Sequence, residues 1–269
     1  MCTDCGCTTA THPVFLKPHS HTPLLRLTLP PPAPEVRRIS VEASIFEKNQ
    51  RKAVQNRTWF AEQKLLVWNV MSSPGAGKTT LLCRVLPDLA NEHPLAVIVG
   101  DQETSIDAER LQKAGLQSIQ INTHAACHLD ASRIAEAVHS LPIDQLDLLV
   151  IENVGNLVCP AVFDLGETKK IALLSTAEGE EKPLKYPVLF HDADLVVITK
   201  SDLIPHLDYA VDVVIQNVRS QNPTAPIVFC SVRTGEGLET LIEHLQSFLA
   251  IPENSLVFGD PRTAAVPAR

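Results

Sequence analysis

The sequence has no apolar run approaching the roughly 20 residues that a membrane-spanning helix needs. It also lacks the basic start and apolar core of a secretory leader. Basic residues are in the minority: 23 Lys and Arg stand against 31 Asp and Glu, a net charge of −8. A chain of this sign repels nucleic-acid phosphates and anionic lipid, so neither nucleic acid nor a membrane surface is expected as a partner. Proteins and small ligands remain, and the expected compartment is the cytoplasm. With 269 residues the chain can bury one α/β core of ordinary size and carry a modest appendage, which excludes a small fold stapled by disulfides. Its seven cysteines are an odd set, and in a reducing compartment they are expected as thiols.

Three of those thiols, Cys2, Cys5 and Cys7, crowd into the opening MCTDCGC. Gly6 lets the loop turn, and three thiolates with the α-amino group could hold one ion, either square-planar Ni²⁺ or tetrahedral Zn²⁺. A redox pair and an idle tail are the other readings. Residues 1–12 are therefore set apart as a cysteine-rich, flexible metal-binding tail. Seven of the twenty prolines follow between Pro13 and Pro34, interleaved with His12, His19 and His21, so residues 13–35 read as a semi-rigid linker.

A domain is expected over residues 36–255, with a tail at 256–269 read as disordered. Its lead-in, from Val36 to about Glu62, places Val41, Ile45 and Val54 among charged residues, as in an amphipathic helix. Beyond it, short apolar runs at 65–71, 95–100, 118–122, 146–151, 171–175, 195–199 and 227–230 alternate with helical stretches. That alternation predicts a mostly parallel sheet flanked by helices.

The first of these runs leads into SSPGAGKTT and then a helical LLCRVLPDLA. Against the pattern G-x-x-x-x-G-K-(S/T), Ser72 stands where the first glycine usually sits, and Gly77, Lys78 and Thr79 match. Gly75, Ala76 and Gly77 with Thr80 would wrap phosphate oxygens in backbone N–H groups, Lys78 would reach the terminal phosphates, and the Thr79 hydroxyl would hold Mg²⁺. Two carboxylates close later strands, Asp101 after PLAVIVG and Glu152 after LDLLVI. Ligands of open α/β sheets gather at such strand ends, so both are candidates for the magnesium site and the hydrolytic water. Glu152 opens ENVG, which has the form of a GTPase switch, with Gly155 placed for the γ-phosphate.

Base choice is carried by Thr199-Lys200-Ser201-Asp202, which has the form of the guanine reader N-K-x-D with Thr for Asn. The Asp202 carboxylate would accept both N–H donors of guanine, a pattern adenine does not present. Ser231 and Val232, after the next strand, suit a loop behind the base, although SVRTGEG could equally be a turn before the last helix.

Three longer blocks, THAACHLDA, IENVGNLVCPAVFDLGE and EGEEKPLKYP, resemble the hydrogenase nickel-incorporation GTPases, the HypB family, over about residues 60–250. MCTDCGC resembles the N-terminal nickel motif of some members. The resemblance implies a P-loop fold of the signal-recognition and MinD-like class, magnesium-dependent GTP hydrolysis with Lys78, Asp101 and Glu152 as its catalytic groups, and nickel delivery during [NiFe] hydrogenase maturation. It also implies a homodimer promoted by GTP or metal, a HypA-type metallochaperone and the hydrogenase large-subunit precursor as partners, and a second Ni²⁺ or Zn²⁺ site at Cys127, His128 and Cys159. The chain departs from the family pattern at His124, Ala126 and Thr199, and His124 is a further potential ligand. A urease-type nickel GTPase would carry a Cys-Pro-His motif that this sequence lacks, and a nickel or zinc storage module would bind nucleotide without releasing phosphate.

Overall fold

A computed structural model describes residues 34–101, 104–123 and 127–250. Cys2, Cys5, Cys7, the linker histidines, His124 and the residues after 250 lie outside the described residues. In chain order, α1 (Pro34–Glu62) is followed by β1 (Leu66–Ser72), α2 (Lys78–Ala90), β2 (Leu95–Asp101), α3 (Ile106–Lys113), β3 (Gln117–Asn122), α4 (Ala131–Val138) and β4 (Leu148–Glu152). Then come α5 (Cys159–Val162), β5 (Lys169–Ser175), α6 (Lys182–Lys185), α7 (Pro187–His191), β6 (Leu195–Thr199), α8 (Val211–Gln221), β7 (Ile227–Cys230) and α9 (Leu238–Leu249). Every strand falls within two residues of an apolar run expected from the sequence.

The seven strands form one sheet in the order β3-β2-β4-β1-β5-β6-β7, with every pair parallel. Parallel strands need crossovers that cover both faces, which is why the central strands are apolar at nearly every position. Alternate residues face opposite ways: Trp68 and Val70 of β1 pack with Leu81, Val85 and Leu89 of α2 and with Leu241 and Leu245 of α9. Val67 of the same strand joins Phe60, Ile134 and Val138 on the other face, and Met71 joins Phe190, Val214 and Val218.

The order also fixes where a ligand can sit. The chain builds β2, β3 and β4 on one side of β1 and then crosses to build β5, β6 and β7 on the other. The crevice at the carboxyl end of β1 is therefore a topological switch point, where open α/β sheets leave room for ligands.

The lead-in helix forms as expected, but the face that packs is not the one the apolar residues mark. Ile45 and Val54 are about half exposed, at 52% and 50%. The buried face is Asn49, Ala53, Asn56 and Phe60. Its spacing of four, three and four residues is helical, but two of its members are polar and bond backbone rather than apolar surface. Asn49 Nδ2 donates to Asp164 O at 2.8 Å, and its Oδ1 accepts from Ala131 N at 2.9 Å. Asn56 Nδ2 donates to Ala131 O and Leu165 O at 2.7 and 3.0 Å. Buried amides with satisfied partners can hold a helix as an apolar stripe does, and hydrophobicity does not reveal them.

Candidate functional site

The loop between β1 and α2 is built around two left-handed glycines, Gly75 at φ 76° and Gly77 at φ 94°, a conformation that a side chain would strain. Ser72, where the motif usually has glycine, is buried, and its hydroxyl accepts from Lys78 Nζ at 3.0 Å. Ser73 donates to the Glu178 carboxylate beyond β5, and Glu178 also accepts from Ser175 N. Gly155 lies so close to the loop that an added Cβ would stand 3.0 Å from Pro74 Cα. Burial pulls the Lys78 ammonium below its ordinary pKa, and the Glu152 charge opposes that shift.

This loop lines a cavity of about 680 Å³ together with Asp101, Glu152 and Gly155. Glu152 is the last residue of β4 and nearly fully buried. Its Oε1 accepts from Thr79 Oγ1 at 2.6 Å, while Oε2 is buried with no hydrogen-bond partner among the described residues. Burial pushes its carboxyl up from 4.5 to about 7, with the Thr79 bond and Lys78 opposing, Asp107 adding and Arg110 subtracting. An orphaned carboxylate oxygen beside a threonine hydroxyl fits a hard divalent cation, which takes oxygen donors. Asp101, at the end of β2, lines the same cavity, with Oδ2 accepting from Thr104 N and Oγ1 at 3.2 and 2.6 Å.

A second cavity of about 390 Å³ shares Gly77, Thr80 and Lys200 with the first, so the two adjoin across these residues. Ala76, Asp202, Ser231 and Val232 line it. Asp202 Oδ1 accepts from Ser231 Oγ at 2.6 Å, a bond that holds its carboxyl below the usual value. Thr199, which replaces the usual asparagine, still braces the phosphate loop: its hydroxyl donates to Ala76 O at 2.7 Å. Lys200 sits at φ 59° and donates from Nζ to Gly75 O at 2.8 Å. Every residue that the sequence assigns to nucleotide thus lines one of two adjoining cavities.

The other constellation lies beyond the same sheet end, with Cys127 and His128 on the segment between β3 and α4 and Cys159 at the start of α5. Cys127, His128 and Cys159 place one donor atom each within 4.8 Å of one another. The two sulfurs are 3.0 Å apart, and His128 Nδ1 is 3.7 Å from Cys127 Sγ. Burial lowers the His128 pKa, which favours the neutral, ligating imidazole. Burial, with the bond and charge of Cys127, pushes the Cys159 thiol up to about 11, so a metal must displace protons to bind. Two thiolates and an imidazole suit Zn²⁺ or Ni²⁺ and leave room for another donor. The His128 ring packs against Phe163 with centroids 3.9 Å apart.

Two residues of this region were given no role of their own by the sequence motifs. Asn153 follows Glu152 and is fully buried. Its Oδ1 accepts from Leu129 N at 3.4 Å and from Val154 N at 2.9 Å, and its Nδ2 donates to Asn69 Oδ1 at 3.1 Å. Asn69 passes the chain to buried Glu167 at 3.2 Å, whose other oxygen accepts from Leu165 N at 2.7 Å. One polar thread therefore joins the loop after His128, the segment after Glu152 and the strand beneath both. Arg110, on α3, lines the phosphate cavity; only its spacing of three from Asp107 marks it in the sequence.

Residues 66–229 match the family described as CobW/HypB/UreG, nucleotide-binding domain. The hydrogenase maturation factor HypB of Azotobacter vinelandii is 50% identical over 202 residues, 75% of this chain and 67% of that protein. The HypB of Escherichia coli (strain K12) is 49% identical over 211 residues, 78% of this chain and 73% of that one. A crystal structure of HypB from Helicobacter pylori in complex with nickel shares the fold at a TM-score of 0.71 and 40% identity, covering 75% of this chain and 95% of the other. The chain spans about two thirds to three quarters of the length of these curated relatives. Fold, site geometry and sequence agree that the chain belongs to the CobW/HypB/UreG nucleotide-binding family and, within it, to the HypB hydrogenase maturation factors.

Proposed function

We propose that this protein is a GTP-hydrolysing nickel metallochaperone that assists nickel insertion during [NiFe] hydrogenase maturation. The observation that carries the reading is the continuity of one short segment: Glu152 lies in the phosphate cavity, and Cys159, seven residues on, lies in the thiol and imidazole cluster. Loss of a phosphate that Gly155 contacts would move the chain holding a metal ligand. Hydrolysis then changes nickel affinity or the surface shown to a partner.

In this reading Gly75, Ala76, Gly77, Lys78, Thr79 and Thr80 hold the phosphates, and Lys200, Asp202, Ser231 and Val232 hold and read guanine. Thr79, Asp101 and Glu152 hold Mg²⁺, which when bound neutralises charge on the phosphate oxygens. Lys78, from the start of α2, meets the charge that builds on the terminal phosphate as its bond breaks. Turnover is slow, as suits a switch. Nickel is cargo: Cys2, Cys5 and Cys7 capture it, and Cys127, His128 and Cys159 take Ni²⁺ or Zn²⁺. The working form is a homodimer promoted by GTP or metal, acting in the cytoplasm with a HypA-type metallochaperone on the hydrogenase large-subunit precursor. Among the described residues no helix is long and apolar enough to cross a membrane.

The test is phosphate release from GTP with magnesium. The wild type turns over, and Lys78→Ala loses roughly 100-fold or more, the scale of removing one donor to a developing charge. Unaltered turnover in Lys78→Ala defeats the assignment, and stoichiometric nickel binding without phosphate release returns the protein to a storage role.

A further inference from the structure

Arg110 is a cation of the phosphate cavity that the reading above leaves unused. It stands on α3 one turn after Asp107, and both side chains line the cavity with Lys78, Thr79 and Glu152. Its Nη2 donates to Thr80 Oγ1 at 2.8 Å, and its Nη1 donates to Asp107 Oδ1 at 3.2 Å. The guanidinium carries more donors than these two partners use.

Neither partner explains an arginine there as a stability device. The side chain is 43% exposed, and an ion pair between neighbouring turns at that exposure contributes little. The other partner is a neutral hydroxyl. Thr80, however, lies in the first turn of α2, where backbone N–H groups and the helix dipole favour an anion. A phosphate oxygen offers the guanidinium a charge-assisted bond that Thr80 Oγ1 does not. Charge points the same way. The cavity's three acids, Asp101, Asp107 and Glu152, already offset its three cations, Lys78, Arg110 and Lys200, and Lys200 is engaged with a loop carbonyl, so a bound triphosphate adds negative charge that calls on Lys78 and Arg110. The base cavity does not include Arg110, so its ligand is phosphate and not guanine.

We propose that Arg110 is a phosphate ligand supplied from α3. When nucleotide enters, its guanidinium exchanges the Thr80 hydroxyl for a phosphate oxygen, and Asp107 orients it. The inference rests on the cavity being the site of GTP.

The test measures affinity of the full-length protein for GTPγS with magnesium, by calorimetry or displacement of a fluorescent guanine nucleotide. Wild type, Arg110→Ala and Arg110→Lys are compared, and each is also melted without nucleotide. Losing one charge-assisted bond weakens Arg110→Ala about tenfold or more. Arg110→Lys recovers part of the loss, because the charge returns without the fork, and the nucleotide-free melting temperatures agree. Affinities within twofold of wild type in both variants overturn the inference while leaving the GTP site intact. Equal weakening in both variants together with lowered melting temperatures also overturns it, making Arg110 a brace between α2 and α3. No GTPγS binding by the wild type overturns both readings.

Discussion

A buried carboxyl group keeps its proton above its ordinary pKa until a cation or a rise in pH displaces it. Glu152 is such a group: burial raises it from 4.5 to about 7, and one of its oxygens has no partner among the described residues. A raised carboxylate means the folded state binds the proton more tightly than the unfolded state. The associated stability is fully present below about pH 4.5 and is lost as pH rises through about 7. Without magnesium and nucleotide, Glu152→Gln stays neutral and is more stable than wild type at pH 8, by up to about 3 kcal/mol. Urea denaturation should show the difference shrinking toward pH 5, and a difference independent of pH contradicts the account. Added magnesium and nucleotide stabilise the wild type at pH 8 and reverse the order. Arg110 belongs to the same scale, and it was not legible: a lysine in a glycine-rich loop announces phosphate, whereas an arginine on an exposed helix announces nothing until the fold carries α3 to the cavity.

At the scale of elements, the strands were legible and the helix contacts were not. Fully buried parallel strands are continuous apolar runs, so LVWNVMS, LAVIVGD and LVVIT mark themselves. The packing of α1 rests instead on Asn49, Asn56 and the glycine they approach. Gly166 sits at φ 93°, and a Cβ there would stand 2.8 Å from Ala53 O and 2.8 Å from Asn56 Cβ. Gly115 has a similar φ of 86° with nothing within 4 Å of an added Cβ. Gly115→Ala therefore bears backbone strain alone, on the order of 1–2 kcal/mol. Gly166→Ala adds a clash with α1 and should cost roughly 1–3 kcal/mol more by chemical denaturation. Equal losses at the two positions would show that α1 does not press on this turn. Because Phe163 packs on His128 and Asp164 takes Arg57 at 2.6 Å, loosening this turn also loosens the cysteine and histidine cluster.

At the scale of the whole molecule, two chemistries share one end of one sheet. The nucleotide cavities follow from the strand order, since Ser72, Asp101, Glu152, Thr199 and Cys230 all end parallel strands. The cluster of Cys127, His128 and Cys159 does not, because Cys127 and Cys159 are 32 residues apart, and spacing gave no reason for their segments to meet. Besides the short segment from Glu152 to Cys159, Asn153 is a second physical tie between the two. It bonds the backbone after His128 from a position beside Glu152, and it rests on Asn69 beneath. A buried hydrogen-bonded thread of this kind ties the two loops to one strand, so the state of the nucleotide cavity is expected to be felt at the thiols, which the nickel measurement below tests.

The decisive measurement is the Ni²⁺ affinity of the full-length chain carrying Cys2→Ser, Cys5→Ser and Cys7→Ser, so that only the internal cluster reports, with GDP and then with GTPγS and magnesium. The account predicts affinities differing by about fivefold or more between the two nucleotides, with the internal binding abolished by Cys127→Ala. Equal affinities with both nucleotides, or nickel binding indifferent to Cys127, would contradict it.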